Sequence, residues 1–258
     1  MVNEQVRVMN VSGISRQTLI GKLLRLPLRL IPHDLVIPIL TGSLRGKKWI
    51  SGTSNHGCWL GSYEYDKQRR FANSLSVGEV VFDLGANAGF YTLLASQLVG
   101  SGGRVIAFEP LPENLTYLRK HLRMNRIGNV EIFEAAVAES MGVAQFKIGS
   151  NSSVGALSTA GELEVKTVSL DRLFEMGEIP APSLLKMDIE GGEYSALLGA
   201  RAILERYHPT IFLATHGREV HDDCCTYLRS IGYGLSAITG DSVEETDELL
   251  ASFDSDGR

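Results

Sequence analysis

The chain has 258 residues, 44% hydrophobic and 21% charged, with 25 Lys and Arg against 30 Asp and Glu and a formal net charge of −5. That length suits one full-sized domain with a real core, and the composition excludes whole-chain disorder, collagen and multi-span membrane architectures. The acidic balance gives no overall attraction for phosphate backbones, so nucleic acid is not an expected partner.

Residues 18–40, TLIGKLLRLPLRLIPHDLVIPIL, are apolar but interrupted by Lys22, Arg25, Arg29, Asp34 and the prolines at 27, 32 and 38. No membrane-spanning helix is expected there. Leu19, Ile20, Leu23, Leu24, Leu30 and Ile31 recur at roughly helical spacing and leave an apolar face opposite basic residues. Two readings of that face stand: packing on the domain or on a dimer mate, or peripheral contact with an anionic membrane surface. The second is kept open by charge, since residues 1–51 hold eight Lys and Arg against Glu4 and Asp34. Residues 1–50 are therefore read as a basic, helical extension.

From Val80 onward short apolar runs alternate with helical patterns. Strands are expected at Val80–Asp83, Arg104–Glu109, Val130–Val137, Leu184–Asp188, Thr210–Thr215 and, last, Tyr233–Ile238. Helices are expected up to Leu98 and over Leu111–Asn125, Leu170–Met176, Tyr194–Tyr207 and Asp222–Ser230, with Ser169 as a cap. Residues 143–148 and 163–168 suggest a two-stranded excursion. This alternation implies an α/β, doubly wound parallel sheet, with the domain spanning 51–240. The end of the chain, residues 241–258, carries seven acids against one Arg and reads as a flexible tail. The three cysteines, Cys58, Cys224 and Cys225, provide no disulfide framework or zinc pattern, and with no secretory signal a cytoplasmic location is expected.

The segment VVFDLGANAGFYTLLA puts Asp83 at a strand end and Gly85, Asn87 and Gly89 in the turn before a helix. Glycines there permit close approach of a ligand, and ligands of open α/β sheets sit outside the strands' carboxyl ends. Glu109 ends the next strand, where a carboxylate can accept from both ribose hydroxyls. A dinucleotide fingerprint is G-x-G-x-x-G, whereas this loop is D-x-G-x-N-x-G. Asp83 would repel a pyrophosphate but suits an amino group, so S-adenosylmethionine fits better than NAD.

With VIAFEPLPENLTYLRKHLRMN, VEIFEAAVAES, LLKMDIEGGEYSALLGA and the upstream WLGSYE, that segment resembles the FkbM family of S-adenosylmethionine-dependent methyltransferases over roughly residues 45–216. The departures are Ala88, where a branched residue is common, and Gly192, where alanine is. The resemblance implies a class I methyltransferase (Rossmann-like) fold with a seven-stranded, mostly parallel sheet, and methyl transfer to a hydroxyl of a small acceptor such as a sugar, glycolipid precursor or secondary metabolite. N-methylation and a non-catalytic nucleotide-binding module are the alternatives. It places Asp83, Gly85, Asn87 and Gly89 at the methionine part of the cofactor, Glu109 at the ribose, and Asn114 and Ala135 near ribose and adenine.

Catalytic candidates lie at the carboxyl ends of the fourth and fifth strands: Lys186, Asp188, Glu190 and His216, with Asp188 also counted on the cofactor side. Asp188, Glu190 and His216 could form an oxygen/nitrogen cation site, but nothing in the sequence demands a metal and none is assigned. The acceptor is expected to meet the loop GSNSSVGALST and the segment NHGCWLGSYE, with His56, Trp59, Tyr63 and Tyr65 as contacts.

Overall fold

The computed structural model describes residues 30–148, 155–157, 163–240 and 242–253. Two short antiparallel strands, β1 (Val36–Pro38) and β2 (Lys48–Ile50), precede the helices α1 (Gly57–Leu60) and α2 (Tyr65–Asn73). Residues 18–29 of the proposed amphipathic face lie outside the described residues. The remainder departs from the helical expectation at Val36–Pro38, which is strand. Proline lacks the N–H a helix interior needs, and β-branched Val36 and Ile37 favour extended backbone. No helix among the described residues is long and apolar enough to cross a membrane. Nor is residue 50 a packing boundary: Ile39, Leu44 and Trp49 are buried in one cluster with Leu93, Leu94 and Leu118.

The expected alternation follows as β3 (Val80–Leu84), α3 (Phe90–Val99), β4 (Arg104–Phe108), α4 (Pro112–Met124) and β5 (Val130–Phe133). Pro112 suits the first position of α4, and Glu113 in its first turn and Arg123 in its last suit the helix dipole. The strand expected over 130–137 divides. Its second part, β6 (Ala136–Val137), leaves the main sheet for another completed by β7 (Gly142–Ile148), β8 (Gly155–Leu157) and β9 (Leu163–Val168), in the order β6-β9-β7-β8. The two-stranded excursion is thus half of a four-stranded sheet.

Next come α5 (Leu170–Glu175), β10 (Leu184–Met187), α6 (Glu193–Leu198), α7 (Arg201–Tyr207), β11 (Thr210–Ala214), α8 (Arg218–Ser230), β12 (Tyr233–Ala237) and β13 (Glu248–Phe253). Ser169 caps α5 as expected, accepting from the Arg172 N–H at 3.4 Å. The single helix expected over 194–207 breaks before Arg201. Asp171 satisfies the new helix start by accepting from Ala202 N–H at 2.8 Å and Ile203 N–H at 3.0 Å.

The main sheet has seven strands in the order β12-β13-β11-β10-β3-β4-β5. Strands β11, β10, β3, β4 and β5 pair in parallel, while β13 is antiparallel to both β11 and β12. Residues 248–253 are therefore an internal strand, a correction to the tail expected from 241. Leu249 and Ala251 are fully buried there, and that apolar content outweighs the local acidity that suggested fraying.

Side chains alternate between the two faces of the sheet. Phe82, Leu84, Leu185 and Met187 pack with Leu197, Leu204 and Leu228 of the helices on one side. Val81, Val105, Leu184 and Phe212 pack with Phe71, Leu93 and Leu118 on the other. The same alternation puts Asp83 and Lys186 on the second face, and the pairing register sets them opposite each other. A buried acid and a buried base are thereby brought together at the carboxyl ends of the central strands.

Candidate active site

The strand ends open on a cavity lined by Gly85–Ala88, Phe90 and Tyr91 after β3, and by Glu109–Leu111 and Asn114 after β4. Lys186, Asp188–Glu190 and Gly192 line it from β10 and its turn, Ala135–Val137 and Phe146 from the second sheet, and Trp49, Ser54 and Tyr63 from the N-terminal segment. Gly85 has a φ of +78°, and a Cβ there would lie 2.0 Å from the Asp188 carbonyl oxygen, so only glycine fits.

Glu109 organises one half. Its Oε2 accepts from the Asn87 N–H at 2.8 Å, and its Oε1 accepts from the Leu111 N–H at 2.8 Å and from Asn114 Nδ2 at 3.2 Å. Burial pushes this carboxyl above the usual range, although all three donors act the other way. An ionised carboxylate has about four lone-pair sites, so one on Oε2 stays available to a ligand hydroxyl. Asn114 thus orients Glu109, and Ala135 joins Phe108, Leu111, Val137 and Phe146 in an apolar wall.

Lys186 and its acids organise the other half. Lys186 Nζ donates to the Gly85 carbonyl at 3.1 Å and lies 3.4 Å from Asp83 Oδ1 and 3.7 Å from Asp188 Oδ2. Burial opposes its charge, but Asp83 and Asp188 outweigh burial and hold the ammonium above the usual lysine range. Asp188 is likewise penalised by burial, yet Lys186, Lys67 and His216 keep its carboxyl below the usual range. Asp83 is 1% exposed and also accepts from Thr92 Oγ1 at 2.6 Å. It is not among the residues that line the cavity: the strand register turns it toward Lys186 and α3.

His216, just past β11, approaches Asp188 Oδ1 and Glu190 Oε2 with Nε2 at 3.6 Å each, while Nδ1 lies 2.8 Å from Glu193 Oε1. The hydrogen bond to Glu193 raises its pKa to about 9 against the effect of burial. At neutral pH the Asp188 carboxylate is thus held ionised while the imidazole's hold on its proton is strengthened.

A family model described as the methyltransferase FkbM domain matches residues 83–235. The chain belongs to the FkbM methyltransferase family. S-adenosylmethionine is its cofactor, and the class I fold accounts for the strand order above. This FkbM chain is 30% identical over 144 residues to the hexuronic acid methyltransferase AglP of Haloferax volcanii, covering 55% of this chain and 58% of that one. It is 41% identical over 58 residues to an arsenite methyltransferase of Halobacterium salinarum, 22% of this chain and 15% of the other. The chain thus spans less than two thirds of the length of these curated relatives. The crystal structure of methyltransferase FkbM from Methylobacillus flagellatus KT superposes with a TM-score of 0.54 at 23% identity, covering 69% of this chain and 44% of that one. That likeness concerns the fold.

Of the residues expected at the acceptor, only Tyr63 reaches the cavity. Trp59 is buried and donates to His56 Nδ1 at 3.1 Å, and Tyr65 lies under the Arg69 guanidinium. None of these three lines the cavity: Trp59 is turned into the core, while His56 and Tyr65 are half-buried outside it. Most of the loop GSNSSVGALST lies outside the described residues. Three groups escaped sequence reasoning. Tyr91 donates to Glu64 Oε2 at 2.9 Å, Lys67 is buried 2.6 Å from Glu248, and Glu193 anchors His216. Only Glu193 carried a signal, as an acid five residues beyond Asp188.

Proposed function

We propose that the protein transfers the methyl group of S-adenosylmethionine to a hydroxyl oxygen of a small, sugar-like acceptor. The observation that carries this reading is the two-sided cavity. A glycine loop and a buried ribose-type carboxylate lie on one side, and an ionised carboxylate with hydrogen-bonding neighbours lies on the other. The name of the hexuronic acid methyltransferase relative supports the acceptor class.

In this reading the loop from Gly85 to Gly89 holds the methionine part, the remaining acceptor site of Glu109 takes a ribose hydroxyl, and the apolar wall with Ala135 and Phe146 packs on adenine. Bound there, the cofactor supplies a sulfonium methyl open to in-line displacement. Asp188 accepts the hydrogen of the acceptor hydroxyl and takes its proton as the oxygen–carbon bond forms. Lys186 keeps Asp188 ionised, and Tyr63 lends a hydroxyl and a ring to the acceptor side. Holding oxygen and methyl in line contributes up to about 7–11 kcal/mol in favourable systems.

The test is incubation of the protein and methyl-labelled cofactor with uronic acids, neutral glycosides and amino sugars, followed by NMR of the product. A methyl on a hydroxyl oxygen is expected. A methyl on nitrogen, a base-labile ester on the uronate carboxyl, or no product from any acceptor would overturn the proposal.

A further inference from the structure

In and behind the polar wall of the cavity, acids outnumber the cations that pair with them among the described residues. Glu64, Asp83, Asp188, Glu190, Glu193 and Glu248 share Lys67, Lys186 and His216. Lys67 is paired with Glu64 and Glu248, and Lys186 with Asp83 and Asp188, so among the described residues the ion-pair partner of Glu190 and of Glu193 is the His216 imidazole. Glu193 is fully buried, and its Oε2 has no hydrogen-bond partner among the described residues.

The donors are also arranged for an ion. Ligand atoms from Asp188, Glu190 and His216 all lie within 4.8 Å of one another. The 3.6 Å separations from His216 Nε2 to both carboxylates are too long for hydrogen bonds. They fall inside the span of about 4.2 Å available to two oxygen or nitrogen ligands on one small divalent ion. Glu193 holds Nδ1 at 2.8 Å, which turns Nε2 toward the two carboxylates. A carboxylate behind a ligating histidine is the arrangement that fixes its tautomer and orientation in metal sites. Glu193 is itself fixed by the N–H groups of Ile189 at 3.3 Å and Gly191 at 3.0 Å.

We propose that Asp188, Glu190 and His216 bind one divalent cation of the Mg²⁺/Mn²⁺ class, oriented by Glu193, and that the open coordination positions take neighbouring oxygens of the acceptor. Two carboxylates and one imidazole, with no thiolate, favour such an ion. Asp188 and Glu190 line the cavity, so an ion between them and His216 faces the acceptor half. The acceptor-holding role rests on the reading of the reaction proposed above; the binding of the ion does not.

The test is titration of the full-length, EDTA-dialysed protein with MnCl₂, followed by calorimetry and by the electron paramagnetic resonance signal of free Mn²⁺. S-adenosylhomocysteine is titrated into the same sample. One Mn²⁺ per chain is expected, with affinity lowered at least about tenfold in Glu190→Gln and in His216→Ala. Glu193→Gln, which leaves all three ligands in place, should lose about 10–100-fold. Unchanged S-adenosylhomocysteine affinity shows that each variant is folded. Absence of Mn²⁺ binding in protein that binds S-adenosylhomocysteine overturns the site and leaves the methyltransferase reading intact. Equal Mn²⁺ affinity in wild type and all variants also overturns it. If Mn²⁺ binds as expected but methyl transfer is indifferent to EDTA, the acceptor-holding role is overturned.

Discussion

His121 uses both ring nitrogens. Nε2 accepts from the Ile50 N–H at 3.0 Å and Nδ1 lies 2.7 Å from the Ala88 carbonyl, so the neutral ring with its proton on Nδ1 satisfies both contacts. The ring also stacks on Trp49 with centroids 3.9 Å apart. Burial lowers its pKa to about 4. The folded value lies below the unfolded one, so this stability is present above about pH 6.5 and is lost as pH falls through 4, by on the order of 3 kcal/mol. Melting curves from pH 7 to pH 4 should show that loss. His121→Phe, which keeps the stack, should be less stable at pH 7 and flatter below it. Asp83 and Glu109 look alike in sequence, but their environments separate them. Asp83→Asn leaves Lys186 buried with Asp188 alone, a partial loss of a pairing whose complete loss costs about 3–5 kcal/mol. Glu109→Gln turns an acceptor into a donor opposite the Asn87 N–H. Asp83→Asn should therefore act first on the unfolding midpoint, and Glu109→Gln first on S-adenosylhomocysteine affinity, by about tenfold or more. Equal effects of both on affinity at unchanged stability would contradict this division.

At the scale of elements, β13 decides most. It is the strand through which β12 joins the sheet, and its Glu248 holds the buried Lys67 of α2 at 2.6 Å. Ending the chain at residue 247 removes β12's partner and Lys67's closest acid together. That truncation is expected to abolish cooperative unfolding in circular dichroism. Glu248→Ala in the full chain leaves Lys67 with Glu64 alone at 3.5 Å, and should cost part of the about 3–5 kcal/mol that a fully unpaired buried charge would. A truncated chain that melts cooperatively at the full-length midpoint would contradict this account of β13. The β1–β2 pair belongs to the same packing: Trp49 reaches both the core and the cavity wall.

At the scale of the molecule, cofactor binding couples to folding because the cavity is built from five separated stretches of chain, which come together only in the native state. S-adenosylhomocysteine at about 100 times its dissociation constant should add about 2.7 kcal/mol. That is a shift of about 5–10 °C for a domain of this size, measurable by scanning fluorimetry, and NAD should give none. An equal shift with NAD would contradict the cofactor assignment. Much of this was legible locally. The strand-turn-helix carrying Gly85, Asn87 and Gly89, the acid at Glu109 and the carboxylates after β10 all follow short-range patterns of apolar runs and turn residues. Those patterns determined the α/β class, the cofactor and the end of the sheet where chemistry occurs. Only the tertiary structure decided that Asp83 faces Lys186, that Glu193 grips His216, and that an acidic segment contributes an internal strand. Each depends on register and burial between segments far apart in the chain: Lys67 and Glu248 are 181 residues apart, and no local pattern encodes which charge will meet which.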